Sequence, residues 1–140
     1  MIHLEKNQKM SYRKVYLTGT RNGSDWQQTV ISKLTIEYFW EKEDSKKINS
    51  TDEEYALADA DFLLHVITPK IDHFESISEL IDNSNKNPEK TLFCFLLKDG
   101  EQEFTLHQQD SMIAIGKMVT KNGGRWFQSL DDSISFLNNE

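Results

Sequence analysis

A single cysteine, Cys94, occurs in the 140 residues, so no internal disulfide can form and a reducing cytoplasm is the expected compartment. It sits inside Leu92-Phe93-Cys94-Phe95-Leu96-Leu97, where it reads as a small buried hydrophobe. No stretch approaches the ~20 apolar residues of a membrane-spanning helix, so no membrane partner is expected. Cations are also in short supply. Lys and Arg number 16 against 23 Asp and Glu, a net charge of −7, and Lys46-Lys47 is the densest basic pair. Without a basic stripe to displace counterions, nucleic acid is not the expected ligand. No set of His, Cys and carboxylates has metal-ligand spacing, and no metal is expected. Gly19-x-x-x-Gly23 lacks the Lys-Ser/Thr of a P-loop and the third glycine of a dinucleotide fingerprint. ATP or NAD in those modes is therefore not expected, and the expected cofactor set is empty. Residues 1–12 are polar, lack the apolar core of a signal peptide and read as a flexible tail ahead of one domain, 13–140.

What is present alternates. Arg13 to Thr18, Ile36 to Trp40, Phe62 to Thr68, Thr91 to Leu97 and Arg125 to Gln128 read as strands. Between them, Ser24 to Leu34, Thr51 to Ala60, Ser76 to Ser84 and Asp110 to Lys121 read as helices, and Leu130 to Leu137 closes the chain. Strands alternating with helices at this spacing imply βαβ units. The expected fold is α/β: a doubly wound, mainly parallel five-stranded sheet of flavodoxin or Rossmann type, ordered 2-1-3-4-5.

In such sheets ligands bind outside the C-terminal ends of the strands. Tyr16-Leu17-Thr18-Gly19 ends the first strand there, and Ser76-Ile77-Ser78-Glu79 opens the helix after the third. The Thr20-Arg21-Asn22-Gly23-Ser24 loop precedes a helix N-terminus, whose amides can hold a phosphate. Plainer roles exist for the same residues. Ser24-x-x-Gln27, Ser50-x-x-Glu53, Thr51-x-x-Glu54 and Ser76-x-x-Glu79 all fit the capping box, in which a polar side chain three residues into the helix returns to the cap amide. Tyr16 also suits strand packing, and His65, within a strand, reads as a satisfied core histidine.

The order of these pieces resembles the nucleoside 2-deoxyribosyltransferase superfamily, which includes 2′-deoxynucleoside 5′-phosphate N-hydrolases. Tyr16-Leu17-Thr18-Gly19 is similar to its Tyr-Phe-x-Gly strand end, and Ala60-Asp61 to its third-strand signature, with Glu53 eight residues ahead of Asp61. Ser76-Ile77-Ser78-Glu79 resembles its Gly-Ser-x-x-Glu helix start. The branch called nucleoside 2-deoxyribosyltransferase-like is closer still, through Gly19-Thr20, Trp26, Tyr38-Phe39, Val66-Ile67-Thr68-Pro69, Asp82 to Thr91 and Phe127-x-Ser129-Leu130. The likeness spans roughly Lys14 to Asn138. Glu75 stands where the family has glycine, His73 where deoxyribosyltransferases carry an aspartate, and Glu53 replaces another aspartate.

The resemblance implies cleavage or transfer at the N-glycosidic bond of a (deoxy)nucleoside or nucleoside 5′-phosphate. Glu79 is then the nucleophile, with Glu53 and Tyr16 completing the catalytic set at the C-terminal edge. Gly19, Thr20, Arg21, Asn22, Gly23, His73 and Ser76 contact substrate. It also implies a homo-oligomer, a dimer or higher, because related enzymes complete their sites with a neighbour's residues. Three tryptophans and eight phenylalanines leave aromatic surface to cover in so small a domain. The alternative is a catalytically silent module that binds a nucleotide or nucleotide signal in the same crevice.

Overall fold

Alternation with a period of two puts successive side chains of each strand on opposite faces of the sheet, and here both faces are covered. The computed structural model describes residues 2–5, 13–21, 23–41 and 50–139. In chain order the elements are β1 (Ile2–Glu5), β2 (Lys14–Gly19), α1 (Trp26–Lys33), β3 (Glu37–Glu41), α2 (Ser50–Asp59), β4 (Phe62–Ile67) and α3 (Glu75–Lys86). A short 3-10 turn (Pro88–Lys90) leads into β5 (Thr91–Phe95), β6 (Lys98–Asp99), β7 (Gln102–Glu103), α4 (Leu106–Asn122), β8 (Arg125–Phe127) and α5 (Leu130–Asn139).

Five strands run parallel in the order β3-β2-β4-β5-β8. With Lys14–Gly19 counted first, this is 2-1-3-4-5, the expected doubly wound α/β sheet. One face carries Val15, Leu17, Tyr38, Leu64, Val66, Leu92 and Cys94 under Trp26 and Val30 of α1 and Ile134 and Leu137 of α5. The other carries Tyr16, Phe39 and Leu63 under Ala56 of α2, then Ile67, Phe93 and Phe95 under Leu80 of α3 and Met112 and Val119 of α4. Fully burying one such side chain contributes on the order of 2 kcal/mol, so β4 and β5 anchor the fold.

Two elements fall outside the expected pattern. Ile2–Glu5, placed with the tail, forms an antiparallel strand against β3, with Ile2 opposite Glu41 and Glu5 opposite Tyr38. It covers an edge that β3 would otherwise leave with unpaired backbone groups. The remaining residues of the expected tail lie outside those described. Lys98–Asp99 and Gln102–Glu103 pair as a small hairpin turned at Gly100, whose φ is +64°. The Asp99-Gly100 dipeptide is the hairpin signal, since glycine accepts the left-handed backbone that such turns require. α4 also begins four residues earlier than expected. Thr105 accepts from the Gln108 amide at 3.1 Å while the Gln108 side chain accepts from the Thr105 amide at 2.8 Å, a complete capping box.

Candidate functional site

β2 and β4 meet closely at the C-terminal edge. A Cβ built on Gly19, whose φ is +135°, would lie 1.9 Å from the Val66 carbonyl oxygen. Only glycine lets the two backbones approach this far. The next residue, Thr20, turns inward and is buried. Its amide donates to the Val66 carbonyl at 2.9 Å, and its hydroxyl accepts from the Thr68 amide at 2.9 Å. Its carbonyl accepts from the Trp26 indole at 2.5 Å. Thr20 therefore pins the loop to the sheet. Arg21 is half-buried, Gly23 is exposed with φ +73°, and the Ser24 amide closes a turn onto the Arg21 carbonyl at 3.0 Å. Asn22 lies outside the described residues.

The hairpin reaches this turn through Asp99. Ser24 and Thr68 each donate a hydroxyl hydrogen bond to Asp99 Oδ2 at 2.6 Å. Lys70 Nζ stands 3.7 Å from Asp99 Oδ1 and donates to the Gly23 carbonyl at 3.0 Å. The Asp99 side chain is 9% exposed, so the carboxylate is held by neutral hydroxyls and one ammonium in a largely dry position. Thr68, Lys70 and Asp99 were not among the expected site residues. The apolar run into Thr68-Pro69 and the Asp99-Gly100 turn were local signals, but their meeting was not.

α2 and α3 lie side by side on the face that carries Tyr16, and both begin at the C-terminal edge because each runs back toward the start of the next strand. Helical periodicity then orients their flanks. In α3, Leu80 faces the sheet, while Ser84 and Asn85 approach α4, accepting from Asn122 Nδ2 at 3.0 and 3.2 Å. Glu79, with Ser76 and Asn83, falls on the flank away from α4, toward α2. In α2, buried Ala56 faces the sheet. By the same handedness, Glu53 and Leu57 lie on the flank toward α3. Helical periodicity thus sets the half-buried Glu53 and the exposed Glu79 on facing flanks of the two helices. Tyr16, 5% exposed, packs below α2 with Phe39, Ala56, Ala60 and Leu63.

His65 lies on the same face, opposite Thr18 of β2. It is fully buried, and desolvation pushes its pKa down to about 3, so the ring is neutral in ordinary conditions. The Asn83 amide nitrogen approaches Nε2 at 3.3 Å, which gives that ring nitrogen a partner. Nδ1 has no partner among the described residues, so this histidine is half-satisfied rather than fully satisfied.

The expected capping boxes at Ser24 and Ser76 are not present. α1 is capped at Asp25 and α3 at Phe74, neither with a side-chain cap bond. Ser76 is the second helical residue and Glu79 the fifth, one turn beyond the strongest influence of the helix dipole. The side chains of Ser50 and Thr51 lie outside the described residues. His73 is exposed on the β4–α3 loop, its Nε2 3.8 Å from Asp72 Oδ1. A shallow cavity of about 390 Å³ opens elsewhere, at the α4–β8 junction, between Thr120 and Phe127. None of the expected site residues lines it. Among the described residues no helix is long and apolar enough to cross a membrane.

No protein-family model matches the chain, and no curated protein matches it.

Proposed function

We propose that the crevice at the C-terminal edge binds a (deoxy)nucleoside or nucleoside 5′-phosphate and cleaves or transfers its N-glycosidic bond. What supports this reading is helical periodicity, which sets Glu53 and Glu79 on the facing flanks of α2 and α3 over a sheet face that bears Tyr16. An ionised Glu79 carboxylate attacks the anomeric carbon as the C–N bond breaks, the bonding pair leaving with the base, and a glycosyl ester forms. Glu53 or the exposed His73 delivers the proton that the departing base nitrogen takes up. Tyr16 holds the carboxylate orientation. Water then releases the sugar in a hydrolase, or a second base accepts it in a transferase. We place the activity in the cytoplasm, in a dimer or larger oligomer, without metal or cofactor.

The exposure of Glu79 and its fifth position in α3 favour a second reading, a silent module that binds a nucleotide without reacting. One experiment separates the two. Nucleosides and 5′-monophosphates are incubated with wild type and Glu79→Gln, and free base is measured by chromatography. The enzyme reading expects release that falls by several orders of magnitude in the variant, since the amide is no nucleophile. Equal rates remove Glu79 from the mechanism, and binding without release leaves the silent module. Light scattering tests the oligomer: a mass near the 16.3 kDa of one chain at micromolar concentrations contradicts it.

A further inference from the structure

The turn before α1 is the place where a 5′-phosphate would be held, and five of the donors around it are already engaged. A hydroxyl has one proton to give. Those of Ser24 and Thr68 go to Asp99 Oδ2, each at 2.6 Å. The Thr20 and Ser24 amides go to the Val66 and Arg21 carbonyls at 2.9 and 3.0 Å. Lys70 is engaged with the Gly23 carbonyl at 3.0 Å and stands 3.7 Å from Asp99 Oδ1. An incoming phosphate, which only accepts when fully ionised, would meet in Asp99 an acceptor of like charge.

Charge points the same way. The Asp99 side chain is 9% exposed, so solvent screens it poorly. Around it, the loops and helix starts of this edge carry Asp25, Asp72, Glu75, Glu79 and Glu101 against Arg21 and Lys70, while Lys98 and Glu103 pair with each other at 2.9 Å. A free 5′-hydroxyl differs in kind. It is uncharged and can donate to the Asp99 carboxylate.

We propose that Asp99 is a specificity-determining residue that turns phosphate-bearing ligands away from the crevice and selects nucleosides with a free 5′-hydroxyl. This rests on the nucleoside reading above and narrows its substrate class. The hairpin β6–β7 is the device, since its Asp99-Gly100 corner brings the carboxylate to the turn.

Calorimetric titration with the four 2′-deoxynucleosides and their four 5′-monophosphates tests it without requiring turnover. Wild type should bind at least one nucleoside about tenfold or more tighter than its monophosphate, the scale of one charge repulsion near a protein surface. Asp99→Asn keeps an oxygen for Ser24 and Thr68 but removes the charge, and should narrow that gap several-fold. Glu89→Gln, an equal charge change on an exposed residue ahead of β5 at the opposite edge, should leave it unchanged. Should Asp99→Asn fail to fold, Asp99→Ser replaces it as a second neutral residue that can still accept a hydrogen bond: the gap should narrow, and a constant gap overturns the role of the Asp99 charge. Monophosphates binding as tightly as nucleosides overturn the proposal. So does a gap that survives Asp99→Asn, or no binding of either class. Nucleoside binding with the expected gap but no base release sustains the selectivity and removes the catalytic reading instead.

Discussion

The two faces of the sheet are built from similar apolar strands, yet they bury different chemistry. The face under α1 and α5 holds Tyr38 and Cys94, and burial pushes the Cys94 thiol up to about 12, with a Ser133 hydrogen bond only partly opposing it. The face under α2, α3 and α4 holds His65, which burial pushes down to about 3. In both cases desolvation disfavours the charged form, so an acid rises and a base falls. The first face lies under α5, whose first turn carries Asp131 and Asp132. The second has Tyr16 within it and Glu53 and Glu79 on facing flanks of its helices. Both faces bury polar groups, Cys94 and Ser133 on the first and Tyr16 and His65 on the second, and the chemistry is proposed on the second.

The largest expected effect belongs to the seam that both faces share. Gly19→Ala would drive a Cβ against the Val66 carbonyl in a left-handed backbone, so β2 and β4 must separate. A loss of roughly 3 kcal/mol or more is expected, read as a lowered denaturant midpoint. A loss below about 1 kcal/mol would mean that the seam yields easily and that Gly19 is available for ligand contact instead.

Next come opposite pH limits for the two faces. The unfolded chain takes up a proton on His65 below about 6.5, while the folded chain resists until about 3. Acid therefore favours unfolding, and stability should fall by up to about 1.4 kcal/mol per pH unit between those values. Cys94 acts at the other end. Its thiol ionises in the unfolded chain above about 9 but stays neutral when folded until about 12, so stability should erode as pH rises through that range. Denaturant titrations at several pH values test both. His65→Gln should flatten the acid limb alone, and Cys94→Ala the alkaline limb alone. If either variant flattens both limbs, the faces are not the independent units described.

Much of this was legible in sequence because it is local. The run from Leu92 to Leu97 reads as a doubly covered strand, and the alternation of strands and helices implies the parallel sheet. Gly19 reads as a turn, though not as a seam, because Val66 approaches it from another strand. Asp99 was silent for the same reason: Ser24, the hydroxyl it accepts from, lies 75 residues away. His65 reads as buried from its neighbours Leu64 and Val66. Its half-satisfied state depends on Asn83, 18 residues on. Thr105-x-x-Gln108 was readable by the same rule that was applied to Ser24 and Ser76. The capping pattern is short, and tertiary contacts decide which copies of it form.

That contrast supplies the smallest prediction, and it bears on the site. Thr105 caps α4 with both bonds of its box formed, so Thr105→Ala should cost about 1 kcal/mol. Ser76 sits inside α3, whose cap residue Phe74 makes no side-chain cap bond, so Ser76→Ala should cost under about 0.5 kcal/mol. Thermal or denaturant midpoints of the two variants compare them directly. Equal costs would mean that α3 starts at Ser76 in solution, with Glu79 returning to the cap amide. Glu79→Gln would then disturb a helix start as well as a proposed nucleophile. Unequal costs in the expected order release Glu79 from any capping duty. Because glutamine is close to glutamate in both volume and helix propensity, Glu79→Gln would then leave stability nearly untouched. Any loss of base release in that variant then belongs to the carboxylate.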